Sequence, residues 1–135
     1  MLIKKLVNVP PEVALQFKDD EDWAVRLAVV KMQTPEVALQ FKDDEDWRVR
    51  LAVVQMQTPE VALHQFKDDE DCDVRLAVVK MQSPEVALHQ FKDDEDWAVR
   101  LAVVKMQTPE VALQFKDDKD WEVRLAVVKM QTPCM

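Results

Sequence analysis

The 135-residue chain contains no glycine and no tyrosine. Glycine supplies the left-handed turns of tight hairpins and the close backbone approach of phosphate-cradling loops, so its absence argues against both. Short helices punctuated by proline and aspartate are predicted instead. Cysteine is nearly absent too. Cys72 and Cys134 are too few and too differently placed for a disulfide framework, and a reduced, cytoplasmic setting is expected. Positive charge is outnumbered, 18 Lys and Arg against 26 Asp and Glu, for a net charge of -8. That balance disfavours nucleic acid and anionic membrane as partners. Residues 1–9 carry Lys4 and Lys5 but no long apolar run, so they read as neither signal peptide nor membrane span.

Nucleophile chemistry is equally thin. One serine, Ser83, and two histidines, His64 and His89, leave no nucleophile, base and oxyanion set to converge in a pocket. The chain is therefore expected not to be an enzyme, and no catalytic, cofactor-binding or metal-ligating residue is assigned. His64 and His89 hold equivalent positions in neighbouring copies of a repeat, but two histidines without a third ligand make a poor zinc site.

What is present is repetition. The stretch T-P-E-V-A-L-Q-F-K-D-D-E-D-W-R-V-R-L-A-V-V-Q-M-Q, residues 34–57, recurs in near-copies along the chain. Its proline falls at Pro11, Pro35, Pro59, Pro84, Pro109 and Pro133, in steps of 24, 24, 25, 25 and 24 residues. A fixed period of this size marks a solenoid, in which each unit buries its apolar faces only against its neighbours. The organisation read from this is an N-terminal capping segment at 1–10, five tandem repeats of 24–25 residues at 11–132, and the truncated start of a sixth at 133–135.

Two helices are predicted in each copy. Thr34 is the N-cap of the first, with Pro35 at the first helical position, where a missing N–H costs nothing. Ser83 takes the place of the capping threonine in its copy. Leu39 and Phe41 stand i, i+2 apart, a spacing that suits a tight 3₁₀ turn better than a regular α-helix. His64 and His89 lengthen that segment by one residue and set leucine and phenylalanine i, i+3 apart. A longer, more α-helical first element is expected in those two copies alone.

The second helix is expected to start in the acidic run with Asp44 as N-cap, while Lys31, Lys80, Lys105 and Lys129 complement the dipole at the other end. Val49, Ala52, Val53 and Met56 follow i, i+3, i+4, i+7, and Trp47, Leu51 and Val54 widen the apolar surface. A helix apolar over so much of its girth needs cover on both sides.

With P-E-V-A-L-x-F-x-D-D-E-D-W-x-V-R-L-A-V, the unit resembles the leucine-rich repeat variant family and, more distantly, HEAT-like helical repeats. The likeness covers residues 11–132. It implies an all-α, right-handed α-solenoid in which a short or 3₁₀ first helix alternates with an α-helical second one. The founding member carries an iron-sulfur cluster in a cysteine-rich segment outside its repeats; nothing here matches that segment, so no cofactor is carried over. Lys-Met-Gln stands where the family tends to have an Asn-Pro turn.

Three features admit two readings each. The acidic runs 19–22, 43–46, 68–71, 93–96 and 117–120 stack into a ridge able to take a divalent cation or a basic peptide, or they serve as caps and pair with arginines, Asp46 with Arg50 at i, i+4 and others with arginines of neighbouring copies. Lys119 interrupts the last run. Trp23, Trp47, Trp97 and Trp121 line a groove or simply pack, and Cys72 breaks their column, predicting local looseness or a compensating shift in the third copy. The last second helix has no following copy to cover it. Self-association through Trp121, Val123, Leu125, Val127, Val128 and Met130, most simply as a two-fold homodimer, would cover it, and truncation of a longer protein would leave the same edge. A non-enzymatic scaffold for protein–protein interaction is the function expected, with the acidic ridge as a ligand-binding array the alternative.

Overall fold

The structure, a computed structural model, describes residues 10–131. The expected cap at 1–10, apart from Pro10, and the truncated copy at 133–135 lie outside the described residues. Among these residues there are ten α-helices and no strand. The chain divides after Thr58 into two compact units.

The first unit holds two copies of the repeat. Helix α1 spans Pro11–Ala14 and α2 spans Trp23–Lys31; α3 spans Pro35–Ala38 and α4 spans Trp47–Gln55. The second unit holds three. Their helices are α5 (Pro59–Phe66) and α6 (Cys72–Lys80), α7 (Pro84–Phe91) and α8 (Trp97–Lys105), α9 (Pro109–Ala112) and α10 (Trp121–Gln131). In each unit the second helices stack on one another, α2 on α4, and α6 on α8 on α10, while each first helix packs against the second helix of its own copy.

The histidine rule holds. Helices α1, α3 and α9 stop at alanine and continue as 3₁₀ turns through Leu15–Phe17, Leu39–Phe41 and Leu113–Phe115. With His64 or His89 inserted, α5 and α7 run unbroken through eight residues to Phe66 and Phe91. Either way Phe41, Phe66, Phe91 and Phe115 are buried. The extra residue is absorbed by a change of helical pitch, so the ring keeps its place.

Caps fall largely where expected. The hydroxyls of Thr34, Ser83 and Thr108 each accept from the backbone N–H three residues on, at 3.3 Å. The second helix is the exception: Asp46, not Asp44, caps it, accepting from the Arg48 N–H at 2.9 Å. Asp22, Asp71 and Asp96 act alike in their copies. No φ is positive among the described residues, in keeping with a chain that lacks glycine.

Each repeat is closed by a glutamine. Gln33, Gln57, Gln82, Gln107 and Gln131 donate from Nε2 to the carbonyls of Pro11, Pro35, Pro59, Pro84 and Pro109 at 2.7–3.1 Å. This is the use to which the chain puts Lys-Met-Gln: the side chain ties the end of one second helix to the start of its own first helix. In the third copy, α6 keeps the nine-residue length and aspartate cap of α2, α4 and α8, so the change from Trp to Cys72 leaves the extent of the helix unaltered.

Candidate interaction face

Arginine and aspartate staple one copy to the next. Arg26 donates from Nε and Nη2 to both carboxylate oxygens of Asp44, at 2.9 and 3.1 Å, and from Nη1 to the Asp20 carbonyl at 2.6 Å. Arg75 makes the same fork to Asp94 at 2.9 and 3.1 Å, and Arg100 to Asp118 at 2.8 and 3.0 Å. Both partners in each fork are at least nine-tenths shielded from solvent. The same carboxylates also accept the backbone N–H of the capping residue, Asp46, Asp96 or Asp120, at 2.9 Å. Desolvation would raise the Asp118 carboxyl; the Arg100 hydrogen bond and the nearby positive charge outweigh it and hold the group below the usual range.

These forks bear out the pairing expected with arginines of neighbouring copies, and only the pair expected between Asp46 and Arg50 is corrected. Arg50 donates to the Asp44 carbonyl at 2.7 Å, and Asp46 pairs two residues along its own chain with Arg48, at 2.8 Å. Arg48 also lies over the Trp23 ring, 3.6 Å from its centroid. Inner carboxylates that would have to hold a cation or a basic peptide are thus occupied by arginine forks and helix caps. Acidic clefts do open between successive copies, one of about 650 Å³ beside Asp93, Asp94, Asp117 and Asp118, but Arg100 lines it too. His64 and His89 are exposed on α5 and α7. Burial, and then the neighbouring Asp96 carboxylate, push the half-buried Cys72 thiol up, away from the reactive thiolate.

The last copy departs from this plan. Trp121 is 62%, Leu125 40% and Val128 63% exposed, while Val104, which precedes Val128 by one repeat, is 0% exposed. They are the i, i+4, i+7 stripe that corresponds to Trp47, Leu51 and Val54. Leu113 joins them, exposed only in this copy. Val123 and Val127, expected in the same face, are buried instead. They belong to the other stripe, corresponding to Val49 and Val53, which faces the first helix of the same copy. Met130 is half-buried and borders, with Trp121 and Leu125 of the open stripe, a groove of about 470 Å³ that Leu101 also lines. Arg124 keeps its bond to the Asp118 carbonyl, at 2.6 Å, but is exposed where Arg26, Arg75 and Arg100 are buried.

Comparison with solved structures finds one described as a leucine-rich repeat variant with a novel repetitive protein structural motif. It superposes with a TM-score of 0.78 and 31% identity over 90% of this chain and 52% of that one, so the chain spans about half its length. The fold is that of a leucine-rich repeat variant, as the repeat motif implied. No family model matches the sequence, and no curated protein matches it either. No helix among the described residues is long and apolar enough to cross a membrane.

Proposed function

We propose that this chain, a helical repeat array with the leucine-rich repeat variant fold, is a non-enzymatic scaffold for protein–protein interaction that self-associates through its last repeat, in a reduced, cytoplasmic setting. One observation carries the reading. The stripe of Trp121, Leu125 and Val128 lies open in α10, whereas in α8, on which the next copy stacks, Val104 is wholly buried and Leu101 half-buried, Trp97 alone of that stripe staying exposed. A contiguous exposed apolar face of this kind supports an interaction surface. Burying it supplies the hydrophobic gain that drives association.

Light scattering across micromolar concentrations tests this. Self-association should appear as mass above that of one chain, and Val128→Glu, which sets a charge in the open stripe, should abolish it. A monodisperse monomer of the unmodified chain at every concentration would contradict the reading.

A further inference from the structure

We infer that the partner of the open face on α10 is the opposite face of the first repeat in a second copy of this chain, so that self-association is head to tail. The inference rests on the self-association reading and names its geometry. The array itself shows what covers a W-x-V-R-L-A-V-V helix: in the second unit α8 stacks against α10, the second helix of the copy that begins at Pro109. Residues 11–31, which include α2, repeat residues 109–129 with two changes, Glu21 in place of Lys119 and Ala24 in place of Glu122. A second chain therefore carries the covering surface ready-made.

Among the described residues, side chains of that surface are exposed in the first repeat. Phe17 is 53% exposed, where Phe41, Phe66, Phe91 and Phe115 are 6% or less. Val13 is exposed as well. Of the large apolar side chains that reach solvent among the described residues, all but Trp97 lie on the first repeat's face or the last one's.

Charge agrees with shape. The fork that Arg26, Arg75 and Arg100 give to an aspartate of the next copy has, among the described residues, no carboxylate to receive it at Arg124, which bonds the Asp118 carbonyl. At the other end the Asp20 carboxylate accepts the Asp22 N–H at 2.9 Å, as its counterparts do, but lacks the arginine that Asp44, Asp94 and Asp118 receive. Pairing Arg124 with Asp20 of another copy completes both. Pairing the last face with itself sets two Arg124 side chains in one interface and leaves both forks empty. Because the two faces differ, the contact is heterologous.

Two variants at exposed positions test this by complementation: Phe17→Glu spoils the first face and Val128→Glu the last. Sedimentation velocity should show each variant alone as a monomer, and an equimolar mixture as a 1:1 heterodimer with nothing larger, since one good face remains on each chain. Circular dichroism matching the unmodified protein confirms that both variants are folded. If Phe17→Glu still dimerises while Val128→Glu does not, and mixing adds nothing, the last face pairs with itself; the head-to-tail geometry is then wrong although self-association stands. An unmodified chain that stays monomeric overturns both. Asp20→Ala and Arg124→Ala form a second, milder pair, each expected to weaken association at least about tenfold. Their combination should cost no more than either alone, and losses that multiply would also refute the pairing.

Discussion

The guanidinium of Arg48 stacks on Trp23, 3.6 Å from the ring centroid, while its Nη2 holds Asp46 at 2.8 Å. One side chain thus joins the N-cap of its own helix to an aromatic of the preceding copy. Where the corresponding residue of the following copy is Glu122, the matching ring, Trp97, is left 39% exposed. Replacing Arg48 with alanine should redden the fluorescence of Trp23 and lower the melting temperature, by less than the loss of a buried fork such as that of Arg100. An unchanged emission spectrum would show that the stack does not persist in solution.

The buried forks should behave as units. Arg100→Met leaves Asp118 charged and shielded from water, and about 3–5 kcal/mol of stability should be lost. Asp118→Leu should cost a similar amount through the stranded arginine. The double variant should recover most of the loss, because an apolar pair of similar volume replaces a desolvated ionic one. Urea midpoints of the four proteins decide the matter, and additive losses would mean that the two side chains act independently.

Acid should unfold the protein through the same groups. Asp118 and Asp46 both titrate below the ordinary carboxylate value, Asp118 because the Arg100 bond overcomes its desolvation and Asp46 chiefly through the hydrogen bond from Arg48. A depressed carboxyl contributes stability above its unfolded pKa of about 3.9, and loses it as pH falls through the lower folded value. Denaturant midpoints should therefore hold to about pH 4 and fall below it. Asp118→Asn should make that fall shallower. A variant with an unaltered acid slope would place the linkage elsewhere.

Removing His89 should convert α7 from eight α-helical residues into the alanine-then-3₁₀ pattern of α3 and α9. Phe91 should keep its buried site, and the cost should stay below about 1 kcal/mol, because the residue lost is exposed. Backbone chemical shifts and a thermal melt would report both. Loss of cooperative unfolding would show that the length of the first element is not free to vary.

Much of this was legible from the residues. The proline period gave the repeat, Thr34 and Ser83 marked helix starts, and the spacing of leucine from phenylalanine separated 3₁₀ from α. The open stripe was legible as well, for Trp47, Leu51 and Val54 were already distinct from Val49 and Val53; merging the two sets placed Val123 and Val127 on the wrong side. The acidic run resisted reading. Three aspartates in K-D-D-E-D are equally able to cap, and the choice falls to Asp46 because Asp44 is held by the arginine of the preceding copy. Pairing with an arginine of a neighbouring copy was legible; which aspartate takes it was not. Gln57 and its counterparts, present in every copy, were the available signal for the closing bond.

That closing bond also bears on the order in which the chain is built. A glutamine that reaches back 22 or 23 residues to a proline carbonyl needs nothing from the rest of the polypeptide. As synthesis proceeds, each glutamine can make this bond once it has emerged, while the segment's apolar faces wait for the neighbouring copy to cover them. Ties this short keep the cost of bringing distant residues together low, a condition associated with rapid folding.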